Sequence, residues 1–177
     1  MTENGDALGK LSHEDGYCVA RLARLSEHAP AAIWRALTDP AWLPQWLAPG
    51  DISLAPGGRA KLDFADSGVA IDSPVTALTP GRVLEYSWSS PGEPARPMRW
   101  EVEPDGDGAR LFLIVKIPHG EDAARAFAGF EAHLDMLEAA LEGVPVKFPF
   151  LDFKAAREAY QAKLAAAGLA PRIETAS

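Results

Sequence analysis

The chain has 177 residues, 47% of them apolar and 24% charged, an ordinary balance for one globular domain with a substantial core. Its formal charge of -8 at pH 7 argues against nucleic acid and against an anionic membrane surface, since both require clustered lysine and arginine. Cys18 stands alone, which excludes an intrachain disulfide, and no run approaches the roughly 18 apolar residues of a membrane helix.

Residues 1–15 are polar, without periodicity and without the apolar core of a secretory leader. They predict a flexible lead, and the chain as a whole predicts a soluble cytoplasmic protein. Tyr17–His28 reads as a first strand. Pro30 opens a short helix over Ala31–Leu37, and Asp39 followed by Pro40 predicts a second one through Trp42, Leu43 and Trp46. Strands are expected at Asp51–Leu54, Arg59–Phe64, Val69–Leu78, Val83–Trp88, Met98–Glu103 and Arg110–Ile117. Pro56-Gly57-Gly58, Thr79-Pro80-Gly81, Ser89–Pro97 and Asp105–Gly108 supply the turns between them. About seven strands in an antiparallel meander result.

Alternation assigns the faces. Leu84, Tyr86 and Trp88 share one side of their strand, as do Met98, Trp100 and Val102 of the next. Arg110–Ile117 is apolar on both sides, through Leu111, Leu113 and Val115 and through Phe112 and Ile114, so it calls for a second cover. The main cover is Glu121–Glu142, where Phe127, Phe130, Leu134, Leu137 and Leu141 recur at steps of three and four before Gly143 and Pro145 end the helix. The fold class is α+β: a curved antiparallel sheet around a long C-terminal helix, with two short helices after the first strand. The domain is expected over 16–143. The extension, 144–177, carries Phe148, Phe150, Leu151 and Phe153 and then a helix over Lys154–Ala166. It is too apolar for a free linker, so it is expected to pack on the outer sheet face or on a second subunit, with a homodimer as one outcome.

Catalytic and metal-binding patterns are missing. There is no G-x-S-x-G, H-E-x-x-H or C-x-x-C, and the Gly57-Gly58 pair does not open a helix. No catalytic residue, metal ligand or cofactor is assigned. His13, His28 and His119 lie in the lead, at a strand end and in a turn; only His133 sits at the margin of the long helix's apolar stripe. There it reads either as a boundary histidine or as a hydrogen-bonding group facing inward. Large aromatics over a sheet with one cover helix predict a ligand-sized apolar cavity, with Tyr86 and tryptophan N–H groups as polar handles. Its expected lining is Trp34, Trp46, Phe64, Tyr86, Trp88, Trp100, Leu113, Phe130, His133, Leu134 and Leu137.

The run Ala29–Pro40, the following Trp42-Leu-Pro-Gln-Trp46, the Pro56–Gly58 turn, Val75–Pro80, Leu84–Trp88 and Gly129–Leu137 occur in an order that resembles the START-like (SRPBCC) superfamily. More narrowly they resemble its branch named for homology to the activator of the heat-shock-protein ATPase, over about residues 17–143. The resemblance implies a helix-grip fold with a hydrophobic cavity; superfamily members bind lipids, sterols or polyketides, and a few catalyse cyclisation or aromatisation. Phe112 and Ile114 depart from the usual outer-face Thr or Ser, and the extension exceeds the usual end. Three functions follow as expectations: a binder of a small apolar or amphipathic molecule, a cyclase- or hydratase-type enzyme using His133, Tyr86 or a carboxylate, and a chaperone-associated or stress-related interaction module.

Overall fold

A computed structural model describes residues 8–64 and 69–169. The elements run β1 (Lys10–Glu14), β2 (Tyr17–Ser26), α1 (Pro30–Thr38), α2 (Leu43–Trp46), β3 (Gly50–Ile52), β4 (Arg59–Phe64), β5 (Val69–Thr79), β6 (Val83–Ser87), β7 (Pro97–Asp105), β8 (Gly108–Pro118), α3 (Ala123–Leu141) and α4 (Phe150–Ala166). The strands form one eight-stranded sheet in the order β1-β2-β8-β7-β6-β5-β4-β3, antiparallel throughout. β5 gives the sheet its bend: Val69–Pro74 pair with β4, while Val75–Thr79 pair with β6 after a register shift between Val75 and Ala77. A bulge of this kind raises local twist and curls the sheet.

One row shows how the inner face is built. Leu22 opposes Leu113, Leu113 opposes Trp100, and Trp100 opposes Leu84, so four strands place large side chains side by side with at most 1% exposure. Cross-strand neighbours on one face sit about 5 Å apart and pack as a continuous layer. α3 closes over this layer with Phe127, Phe130, Leu134 and Leu137 buried, which is the helix-grip arrangement. Its first turn is capped by Asp122, whose side chain accepts from the Arg125 amide. Its end is a Schellman turn: Gly143 takes φ 78°, with Val144 N–H on the Ala139 carbonyl and Gly143 N–H on that of Ala140.

Several expectations shift. Residues 10–14, expected within a flexible lead, form β1 on the edge of β2, while residues 1–7 lie outside the described residues. The second short helix is a single turn; Asp39 Oδ1 instead accepts from the Ala41 amide and turns the chain before it. α4 starts at Phe150, four residues earlier than its pattern suggests. The outer face of β8 is not covered by the extension: the Arg21 guanidinium lies 4.1 Å over the Phe112 ring, and Phe112 is 7% exposed. The extension packs instead on α3, with Tyr160 and Leu164 buried. Among the described residues no helix is long and apolar enough to cross a membrane.

Candidate functional site

β6 ends at Ser87, and the next residue, Trp88, is held from two directions. Its amide donates to the Arg96 carbonyl at 2.8 Å, and Arg96 Nη1 returns a bond of 3.1 Å to the Trp88 carbonyl. Arg96 is itself fixed by Glu121, just before α3, through Nε–Oε1 at 2.6 Å and Nη2–Oε2 at 3.2 Å. A two-pronged arginine–carboxylate contact constrains orientation as well as distance. Trp88 therefore stands where the sheet meets α3. Its ring takes Phe64 of β4 edge-on at 5.4 Å and Phe130 of α3 at 5.2 Å between centroids.

His133 lies one turn of α3 further on. A one-turn helix leaves carbonyls at its end without helical partners, and His133 Nδ1 meets that of Trp46 at 2.8 Å. A carbonyl only accepts, so Nδ1 carries the proton and Nε2 keeps its lone pair. Burial holds the imidazole pKa below its usual value, against the opposing pull of the Trp46 carbonyl, so the ring is neutral near pH 7. Phe64, Phe130 and Phe148 surround the ring at centroid distances of 6.3, 6.3 and 5.6 Å. Nε2 has no hydrogen-bond partner among the described residues, and the His133 side chain is half-buried.

The eleven residues expected to line a cavity thus separate. Trp46, Tyr86, Trp100, Leu113, Leu134 and Leu137 are at most 2% exposed and form packed core, with the Trp46 and Trp100 rings edge to face at 5.6 Å. Phe64, Trp88, Phe130 and His133 come together where the sheet meets α3, the first, second and fourth of them half-buried. Trp34 packs on the core from α1, half-buried and in no ring contact with this group. One of the expected polar handles is already used: Trp46 Nε1 donates to the Ala36 carbonyl at 2.7 Å. Burial pushes the Tyr86 phenol far above its ordinary pKa, so it stays protonated at neutral pH.

Two further clusters were not legible in the sequence. Cys18 Sγ lies 3.7 Å from His119 Nδ1, and the His13 ring is 4.8 Å from that of His119. Burial raises the Cys18 pKa and keeps the thiol protonated, which suppresses nucleophilic reactivity. No group of three or more His, Cys, Asp or Glu among the described residues can hold a metal ion. The other cluster is structural. Tyr160 Oη accepts from the Gly9 amide at 2.7 Å and donates to Glu131 Oε1 at 2.8 Å, and Glu131 Oε2 takes Arg24 at 2.9 Å. An open groove of about 440 Å³ at Arg82, Val83 and Glu101–Pro104 lies at the start of β6, the end away from Trp88, and holds no aromatic side chain.

Comparison with known proteins places this geometry. The family model described as Activator of Hsp90 ATPase homolog 1-like protein matches residues 27–142. CalU16 from Micromonospora echinospora is 22% identical with a TM-score of 0.70, over 82% of this chain and 88% of that one. Protein MLL2253 from Mesorhizobium loti is 26% identical with a TM-score of 0.61, over 72% and 99%. DynU16, described as a putative protein in the dynemicin biosynthetic locus, is 25% identical with a TM-score of 0.65, over 72% of this chain and 48% of that one. No protein with a curated description matches the chain.

Proposed function

From the premise that the chain belongs to the Activator of Hsp90 ATPase homolog 1-like family, we propose that it binds a small apolar or amphipathic molecule at the mouth between sheet and α3. The observation that carries this reading is the group of three half-buried rings, Phe64, Trp88 and His133, set on the buried Phe130 and holding one uncommitted acceptor, His133 Nε2. Sites for small molecules are mostly apolar with a few placed polar groups, and this mouth has that composition. The likeness to DynU16, a putative protein of a biosynthetic locus, supports a small-molecule role. The guest lies against the rims of Phe64 and Trp88 rather than in the deep interior, where Trp46, Tyr86 and Trp100 fill the space.

The test is a panel of apolar ring compounds with native mass spectrometry and thermal unfolding. A ligand present at 100 times its Kd adds about 2.7 kcal/mol, which for a domain of this size raises Tm by roughly 5–10 °C. A stoichiometric complex with such a shift, lost in Trp88→Ala, is the expected result. No complex and no shift across the panel overturns the reading. A second reading, acid–base catalysis of a cyclase or hydratase type, draws on the neutral His133 imidazole with its free Nε2. It requires turnover of the bound molecule, which product analysis of the same mixtures detects.

A further inference from the structure

His133 is a polar side chain set among rings. Its Nδ1–H is committed to the Trp46 carbonyl at 2.8 Å, so rotating the ring to present a donor elsewhere breaks the bond that caps α2. What the residue offers a guest is therefore one acceptor, Nε2, and no donor. The edges of Phe64, Phe130 and Phe148 bound the approach to it, and none of them carries a hydrogen-bonding atom. Of the polar atoms nearest in the fold, Trp46 Nε1 is taken by the Ala36 carbonyl and the Trp88 amide and carbonyl by Arg96; the Trp88 indole N–H is a donor that serves an ether or ketone as well as a hydroxyl and so does not discriminate between them. An acceptor partly withdrawn from water gains most from a guest that replaces the lost water bond, and a guest without a donor leaves it unmet.

Resting on the binding reading above, we propose that His133 is the specificity-determining residue of this mouth and selects a planar apolar ring bearing a hydroxyl, whose proton is donated to Nε2. An ether, ketone or plain hydrocarbon of the same shape keeps the ring contacts with Trp88 and Phe64 but meets Nε2 with no donor. A carboxylate also lacks the proton at neutral pH and is disfavoured. The ligand class is thus phenol-like, with the hydroxyl on the edge of the ring that points to α3.

The test compares 2-naphthol with 2-methoxynaphthalene, which differ by a methyl in place of the hydroxyl proton. Calorimetric titration of the full chain is expected to give about a tenfold lower Kd for the naphthol, the ratio one net hydrogen bond supplies. In His133→Phe, which keeps a ring of similar size, the ratio falls below about twofold, while His133→Gln, with an oxygen near the Nε2 position, restores part of it. If His133→Phe fails to fold, the nitrogen-15 resonance of Nε2 in the histidine-labelled wild type decides: it shifts with the naphthol and not with the ether. Equal affinity of the two compounds for the wild type, or an unchanged ratio in His133→Phe, overturns the assignment of His133 while leaving the binding site in place. Failure of both compounds to bind at millimolar concentration overturns the binding reading and this inference with it.

Discussion

Tyr160 is the single side chain on which the extension turns. Its hydroxyl is buried and uses both capacities, accepting from the Gly9 amide and donating to Glu131. Tyr160→Phe strands the Gly9 N–H and one Glu131 oxygen, and a buried group left without its partner costs about 1–3 kcal/mol. Urea unfolding should show a loss of that size with an unchanged m-value; a loss below about 0.5 kcal/mol means water takes over both bonds. Gly9 has no room for a side chain, because a Cβ there would lie 2.9 Å from the same hydroxyl. His133 yields a prediction of a different kind. Its folded pKa is held below 6.5, so the unfolded chain takes up the proton first as pH falls. Well above pH 6.5 the imidazole is neutral in both states and contributes no slope; as pH falls through 6.5 the unfolded chain protonates first and stability falls until the folded pKa is passed. His133→Phe should therefore lose less stability than the wild type between pH 7.5 and pH 5.5, and an equal loss would remove the burial argument. Of His133 and the Tyr160–Glu131 network the sequence discloses different amounts. His133 is visible at the margin of the stripe, and Glu131 is visible as a charge four after Phe127 and three before Leu134, on a face otherwise apolar. What meets Glu131 is not visible, since Arg24 is 107 residues away and Tyr160 is 29.

Elements with strong internal signals are where the pattern leads, and those without are where it fails. β4, β6 and β7 alternate cleanly between Gly- and Pro-rich turns, β8 is an apolar run bounded by the same signals, and the positions of all four agree with the pattern to within two residues. β1 does not alternate: Lys10–Glu14 is mostly exposed and exists because the backbone of β2 offers an edge. α4 has a weak apolar face, and its place on α3 is set by Tyr160 and Leu164 with Phe153 half-buried against the core, while Phe148 and Phe150 stay exposed. Those aromatics do a separate thing. Phe148, 39% exposed, lays its ring against His133 at 5.6 Å and against Phe153 at 5.5 Å, covering one side of the imidazole from the 144–149 segment. Phe148→Ala removes that wall without touching the deep core. Modification of His133 by diethyl pyrocarbonate, followed by peptide mass spectrometry, should become several-fold faster in the variant. An unchanged rate would show that the segment does not restrict access to the imidazole.

At the scale of the whole molecule the question is whether the extension is an appendage or part of the cooperative unit. Composition suggests an appendage, because Val144, Val146, Phe148, Phe150 and Leu151 are 39–80% exposed in a chain whose other large apolar residues are mostly buried. The polar contacts say otherwise. Tyr160 and Lys163 of α4 both hold Gly9 just before β1, at 2.7 and 2.8 Å, Tyr160 also holds α3, and Arg157 reaches the α3 cap Asp122 at 2.6 Å. α4 thus connects the first described strand to the central helix, and Arg24 of β2 completes the loop through Glu131. Unfolding α4 alone would expose the Phe127 ring, which packs on Tyr160 at 5.6 Å, and leave Glu131 and Arg24 without the third member of their network. Opening of that kind carries much of the global cost, so α4 and α3 should exchange amide protons as one unit. Native-state hydrogen exchange is expected to give Tyr160 and Leu164 protection within a factor of ten of Phe127 and Leu134, and Tyr160→Phe should lower the α4 values more than the α3 values. Protection in α4 several orders of magnitude below that in α3 would make the extension a separately opening element, and the exposed run from Val144 to Leu151 would then move with it.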